Sequence, residues 1–446
     1  MPDESPAAGH PHRTLIRNGF VVTMDDDLGT CPATDVLIGE DGHIAAVGQS
    51  LSPDGVDETV DATDSLVMPG FVDSHRHMYS GLARGTGDGL SYGDYFGEVI
   101  LDYAQSYTPD DTYVAVRLGA AEAIESGITT MHAWEHNLLT PDHAAQSLKA
   151  LTDSGLRGRF SYGPPNVPMT LNPDHVLRLR SAAFTRSPDG RYVTPDGRID
   201  LGIACRGIEL SDESIWRPEL EFARSEHLAI TGHLMAASQI DDLHRAGFLG
   251  PDLLGVHAID AGKSQAKMLG ETGTPVSISH GGNGRAGVGW SDPTLLRDAG
   301  VKLCISLDSL SGCDTGDFFA LMRLIVVATR ALARNPAAYP VTAMLRDATI
   351  CGAEALGIGD RTGSLVPGKR ADLIVLRTDT LNMTPLANPV AQIVLSAQPR
   401  NVHHVWIDGI RRLDAGQLTG KPAAEIVSDG RQHFEQIAGR RGRRVL

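Results

Sequence analysis

Cysteine is scarce and scattered: five residues at 31, 205, 304, 313 and 351, with no Cys-x-x-Cys pair. That odd, dispersed set excludes a disulfide framework and a thiolate metal site, and fits reduced thiols in a cytoplasmic protein. No apolar run is long enough to cross a bilayer. The start of the chain is polar and Pro-rich, without an apolar segment suited to a secretory signal. Basic residues are outnumbered, 39 Lys and Arg against 55 Asp and Glu, for a net charge of -16. This argues against nucleic acid or a membrane as partner, and mildly favours neutral or cationic substrates. Composition is otherwise ordinary, and 446 residues suffice for one large core plus a smaller one.

What the chain has instead is histidine, seventeen in all. The stretch from Met68 to Met78 reads Met-Pro-Gly-Phe-Val-Asp-Ser-His-Arg-His-Met. Apolar residues lead into it, and His75 and His77 stand one residue apart. On an extended backbone, residues i and i+2 point the same way. Two imidazoles on one face past a buried strand are half of a metal site, since neutral imidazole is the usual protein ligand for zinc and similar ions. Spacing alone leaves a bland alternative, two histidines at a strand exit. His10 and His12 share the spacing but lie in the Pro-rich leader, residues 1–13, which reads as disordered.

Residues 14–68 read as β structure. Thr14–Arg17 and Phe20–Met24 flank Asn18-Gly19, a two-residue hairpin signal; Val36–Ile38 and Ile44–Val47 flank a turn at Asp41-Gly42. Near the other end, Ala371–Leu376 is a short apolar strand, and Val402–Ile407 and Ile410–Arg412 flank Asp408-Gly409. Neither group buries a core alone. The simplest solution joins residues 14–68 and 361–425 in one small composite β-sandwich, with residues 69–360 inserted between its halves. Residues 426–446 read as a frayed basic tail.

The insert alternates β and α. After the first strand, further strands are expected at Ile128–Met131, Gly158–Tyr162, Asp200–Cys205, Leu228–Thr231, Leu254–Val256, Pro275–Ser279 and Lys302–Leu307. Helices are expected from the Thr108 cap to Gly127, from Thr140 to Gly155, over Glu213–Ser225 and Ala237–Ala246, and after the last strand over Asp317–Arg334 and Val341–Leu356. Eight such units predict an α/β fold, a (β/α)₈ TIM barrel, for which about 250 residues is typical. An open doubly wound sheet is the alternative, but no Gly-rich phosphate loop follows the first strand. The long segments 79–107 and 163–199 leave strand ends and are expected to cover the barrel mouth.

Chemistry in a barrel sits at the strand exits. Here those exits carry His75 and His77, then His132, His233, His257, His280 and Asp308. Each alone is an ordinary residue. Together they favour a metal site at the mouth.

These residues carry a resemblance. Pro-Gly-Phe-Val-Asp-Ser-His-Arg-His, the histidines at 233 and 257 and Leu-Asp308-Ser resemble the amidohydrolase superfamily, in its mononuclear branch with cytosine deaminase and triazine chlorohydrolases. Gly363 to Leu376 and Ala348 to Gly357 resemble that family's return into its sandwich and its last barrel helix. The resemblance implies a hydrolase of non-peptide C–N bonds in a small, cyclic substrate. It implies one divalent ion, Zn²⁺ or else Fe²⁺ or Mn²⁺, on His75, His77, His233 and Asp308. No strand-exit lysine suggests a second metal. His257 would hydrogen-bond the bound water or the developing oxyanion. Three imidazoles and a carboxylate leave the ion positive, which lowers the pKa of bound water towards ~7. Asp308 would accept the water's proton and deliver it to the leaving nitrogen. A homo-oligomer is also implied.

One position departs from the pattern. Deaminases of this type carry His-x-x-Glu at strand five; here the run is His233-Leu-Met-Ala236. A methyl group shuttles no proton. Glu209 and His280 are the candidates to replace it, although Glu209 reads equally as a solvated loop residue. His132, Trp134 and His136 are expected to line the substrate pocket, along with Glu209. The missing acid also motivates an alternative: the same metal site with another leaving group, or a lyase or dehydratase step.

Overall fold

The computed structural model describes residues 11–165 and 170–442. Eight parallel strands follow one another around a barrel: Phe71–His77, Ile128–Glu135, Arg157–Tyr162, Ile199–Ala204, Ala229–His233, Leu253–Val256, Val276–Ile278 and Leu303–Ile305. The eighth breaks at Ser306-Leu307 and resumes as Asp308-Ser309, which pairs in parallel with Arg76-His77 of the first. That pairing closes the barrel, as the β/α repeat predicts. Side chains of strand one bridge the break. Ser74 Oγ donates to the Ile305 carbonyl at 2.9 Å, and Asp73 accepts from the Leu307 N–H at 3.2 Å.

Helices fall where caps and glycines predict. Thr108 caps Pro109–Glu125 in a reciprocal box with Asp111, and Gly155 at φ 79° ends Pro141–Ser154. The helix expected over Val341–Leu356 is two, Val341–Asp347 and Ile350–Ala355. Between them the Ala348 carbonyl turns aside to accept the Val72 N–H of strand one.

A second, mixed sheet of nine strands comes from both chain ends. Its joint is the antiparallel pair Ser65–Pro69 and Leu373–Arg377. Alternation divides these strands between two cores. Leu66, Met68, Ile374 and Leu376 pack into the barrel's apolar shell, whereas Val67, Leu373 and Val375 pack with Ile16, Val36 and Trp406 of the sheet itself. The small sheet is therefore fixed to the barrel by every second side chain.

Three expectations need correction, and a fourth lies mostly outside the described residues. Asn18-Gly19 is no hairpin. Thr14–Val22 is one strand, and its register against Thr30–Ile38 slips around Gly19. Asn18 takes φ 61° so that its N–H reaches Asp35 at 2.9 Å, and a Cβ on Gly19 would lie 2.6 Å from Val67 Cγ2. The dipeptide suits a bulge as well as a turn because both need φ above zero. The described residues of segment 163–199 do not line the cavity at the mouth. They descend as helix Pro173–Ala183 and add a hairpin whose Val193 pairs with Asp200 at the start of strand four. The tail is not frayed up to Arg440, because Ala423–Arg440 is a helix that buries Ile426 and Ile437, with His433 and Arg440 on the buried Asp111 carboxylate. Finally, the expected disordered leader has its first ten residues outside the described ones, and the Arg13 N–H at its end donates to Asp57 at 2.9 Å.

Candidate metal centre

Five side chains converge at the barrel mouth. His75 and His77 end strand one, His233 ends strand five, His257 follows strand six, and Asp308 opens the resumed strand eight. His257 and Asp308 hold φ of 74° and 72°. Left-handed backbone at a non-glycine residue costs on the order of 1–3 kcal/mol and collects where function demands an orientation.

His233 Nε2 lies 3.3 Å from His75 Nε2, and Asp308 Oδ1 lies 3.4 Å from His75 Nε2 and 3.3 Å from His77 Nε2. Nitrogens of His75, His233 and His257 also fall within 4.8 Å of one another. Outer hydrogen bonds fix the tautomers. His77 Nδ1–H donates to the Trp134 carbonyl at 3.2 Å, and His233 Nδ1–H to Glu209 Oε2 at 2.6 Å. Neutral rings tied at Nδ1 present lone pairs at Nε2. The His77 lone pair faces a carboxylate oxygen, and the His233 lone pair faces another imidazole. Such facing acceptors repel unless a cation lies among them, so the donor set fits one divalent ion.

Electrostatics agree with ligand roles. Burial drives His75 below its ordinary value, His77 well below it, and His257 down to about 3. Burial would raise Asp308, but the His75 hydrogen bond and the imidazoles of His75, His77 and His257 hold it far below the usual carboxylate range. Burial would likewise raise Glu209. His233, then Tyr92 and Arg206, bring it down to about 2. Glu209 accepts from Tyr92 Oη on its other oxygen. It is thus a cavity residue bound to a candidate ligand, not a solvated loop residue.

Three candidates sit elsewhere. His132 lies within strand two, which runs four residues further than expected, to Glu135. Its Nδ1 faces the Ser74 carbonyl at 2.8 Å and its Nε2 faces Ser161 Oγ at 2.7 Å, beneath the cavity. Trp134 stacks on His233 at 4.0 Å between centroids and walls the ligands from behind, without lining the cavity. His280 stacks on Trp290 at 3.7 Å and pairs with Ser291 Oγ at 2.9 Å, outside the lining. It starts helix His280–Ala286, and the cavity is met by Gly282 and Asn283 instead.

His136 lines the cavity as expected, and Tyr79, Tyr92, Tyr95 and Arg206 line it without having been singled out as its residues. The tyrosines come from segment 79–107, which does reach the mouth. Arg206 and Glu209 share one turn, Gly207–Leu210 with its leading residue, and the i, i+3 spacing in Arg206-Gly-Ile-Glu209 was the available signal.

The amidohydrolase family model matches residues 66–200 and 221–411. The chain belongs to the amidohydrolase family. A 5'-deoxyadenosine deaminase from Methanosarcina barkeri is 26% identical over 440 residues, 96% of this chain and 98% of the relative. A 5-methylthioadenosine/S-adenosylhomocysteine deaminase from Syntrophobacter fumaroxidans is 29% identical over 406 residues, covering 89% and 91%. Among solved structures, an adenosine deaminase from Xanthomonas campestris with bound zinc aligns at a TM-score of 0.85 with 22% identity, over 96% of this chain and 99% of the other. An atrazine chlorohydrolase from Arthrobacter aurescens complexed with zinc aligns at 0.83 with 20% identity, over 94% and 100%. These structural likenesses carry the barrel and its added sheet across the family's amidohydrolases.

Proposed function

We propose that this amidohydrolase removes an amino group from a small heterocyclic substrate, using one zinc ion on His75, His77, His233 and Asp308. The chain is a metal-dependent hydrolase of a C–N bond other than a peptide bond. The observation that carries the finer reading is the convergence of lone pairs, with His233 Nε2 and His75 Nε2 3.3 Å apart and Asp308 Oδ1 3.3 Å from His77 Nε2. Zinc is preferred because structural neighbours hold it, and deamination because two relatives over most of the chain are deaminases of adenosine derivatives. The bound ion supplies positive charge that makes water acidic enough to act near neutral pH. Asp308 takes the proton of the attacking water and returns it to the departing nitrogen. His257 hydrogen-bonds the oxygen on which charge develops. Glu209 holds His233 in its Nε2 lone-pair tautomer. Tyr92, Tyr95 and Phe96 give a wall that suits a flat ring.

Ala236, where deaminases of this type carry an acid, supports a second reading: a different leaving group at the same ion. Among the described residues, Glu209 and Asp308 are the carboxylates lining the cavity, and both are bound to candidate ligands. Metal analysis of the purified chain, with ammonia release across amino-purines, amino-pyrimidines and amino-triazines, tests both. One zinc per chain with ammonia release supports the first reading. Zinc with release of chloride or alcohol alone moves the assignment to the second, and no bound metal removes both. The five cysteines form no disulfide, which fits the cytoplasm, and family resemblance suggests a homo-oligomer.

A further inference from the structure

We infer that the substrate carries an anionic group, a carboxylate or comparably acidic oxygen, which pairs with Arg206 and Tyr79 beside the metal ligands. The inference rests on the reading of this cavity as a substrate site.

Arg206 is 4% exposed and lines the cavity. Among the described residues it makes one hydrogen bond, Nη1 to His136 Nδ1 at 2.8 Å, and its Nε has no partner. Among the described residues no carboxylate lies within ion-pair distance of it, and the oxygens of Glu209 are taken by His233 and Tyr92. Its guanidinium lies over the Phe96 ring at 5.5 Å, so one face is covered while the edge is left for hydrogen bonding. His136 accepts from it and must be neutral there. Glu209 offsets part of the Arg206 charge without a hydrogen bond to it, so the guanidinium keeps donor capacity that an anionic oxygen of a ligand can fill.

Tyr79 is an independent observation. It is 1% exposed and lines the same cavity, and its hydroxyl has no hydrogen-bond partner among the described residues. Its ring packs edge-on to His136 at 5.0 Å, so Tyr79 and Arg206 flank one imidazole. That imidazole is 4.5 Å, centroid to centroid, from the metal-ligand candidate His77. Two groups with unfilled donor capacity among the described residues, Arg206 Nε and Tyr79 Oη, thus flank one ring beside the reacting centre. Arg285, which also lines the cavity, differs: it is paired with Asp314 and Asp88 and has no charge to spare. A planar carboxylate matches a guanidinium edge, with a phenol as third donor.

The test is calorimetric titration of the zinc-loaded full chain with orotate and with uracil, the same ring with and without a carboxylate. Orotate should bind at least about tenfold more tightly than uracil, and Arg206→Met should erase that preference while leaving uracil within about twofold. Tyr79→Phe should weaken orotate about fivefold without lowering the melting temperature of the ligand-free protein, since the hydroxyl supports nothing in the fold. Arg206→Lys, keeping charge without the fork, should retain part of the preference and covers the event that the methionine variant fails to fold. Equal binding of the two rings, no binding of orotate, or a preference that survives Arg206→Met in protein still holding zinc overturns the inference. Zinc content and ammonia release on the same preparations keep the outcomes apart. A zinc-loaded, active chain with no preference for acids sinks this inference alone. A chain with the Arg206-dependent preference but no ammonia release sinks the deaminase reading alone.

Discussion

The two ends of the barrel treat buried charge in opposite ways. Arg159, near the start of strand three, donates to both oxygens of Asp200 at 2.8 and 2.9 Å and to the Leu356 carbonyl at 2.8 Å. Arg157 beside it reaches Asp372 and, at 2.8 Å, Asp408, so the barrel floor is tied to the sheet of the chain ends. At the mouth, Arg206 has one hydrogen bond to a neutral imidazole, and Tyr79 Oη has none among the described residues. Satisfied groups hold a fold together; groups left unsatisfied in a native cavity are kept for something that arrives. The contrast separates stability from function by position alone.

The largest break in that contrast comes at the metal. Asp308→Asn keeps the shape but removes the charge that balances an ion and the base that accepts a proton. The kcat/KM for the preferred amine should fall about 10³-fold, with zinc per chain reduced. Steady-state assays beside metal analysis decide it, and a loss below tenfold removes Asp308 from the chemistry. Next in size is Arg159→Met. It strands the buried Asp200 and should lower unfolding free energy by about 3–5 kcal/mol, towards the lower end because Arg191 stands 3.5 Å away. The same change at Arg206 breaks no ion pair and should shift stability by under about 1 kcal/mol. Urea titrations of the two variants side by side test the comparison directly. Equal losses would mean that the mouth is as structural as the floor.

Much of this was readable in the chain because the physics involved is local or periodic. The His75-x-His77 face follows from strand alternation, and the barrel from the spacing of short apolar runs between capped helices. Both Asp-Gly turns are read correctly because positive φ is a property of two residues. Asn18-Gly19 fails for the same reason: the dipeptide specifies φ, not whether the chain reverses. His132 and His280 fail because exposure to a cavity depends on where a strand ends, to within a residue or two. Strand two runs on to Glu135, and strand seven gives way at once to a helix that buries His280 against Trp290 and Ser291, off the cavity lining. The spacing of Arg206 to Glu209 hinted at a shared turn, but that Arg206 has no carboxylate within ion-pair distance among the described residues shows only in three dimensions. The net charge of -16 pointed towards neutral or cationic substrates, yet a sum over the surface is blind to one guanidinium inside a pocket.

Glu135 gives a pH-dependent form of the same comparison. It is buried at the mouth end of strand two, and burial raises its carboxyl to about 8 against the lowering effect of the Ser147 hydroxyl. Once unfolded, the side chain loses its proton near its ordinary value of 4.5. Between these values the folded chain holds a proton that the unfolded chain has released. Stability is therefore full below pH 4.5 and falls as pH rises towards 8, by on the order of 1.4 kcal/mol per unit. Glu135→Gln should flatten this component and melt higher than the parent at pH 8. Parallel melting curves from pH 5 to 8 would discard the assignment if parent and variant kept a constant separation.

Glu209 is the smallest and most diagnostic case, since it stands between the two behaviours. It is fully paired, like the floor, yet its pairing serves His233 rather than the fold. Glutamine at 209 can still accept from His233 Nδ1, but without the negative charge that makes the imidazole a stronger donor to an ion. Zinc affinity should drop about tenfold for Glu209→Gln and nearer 100-fold for Glu209→Ala, where the tautomer is also released. Competition with a chelator measures both. Graded loss of affinity, with kcat restored at saturating zinc, identifies a residue that acts through His233. Unchanged affinity with a lost kcat would instead put Glu209 on the substrate, in the place that Ala236 leaves without an acid.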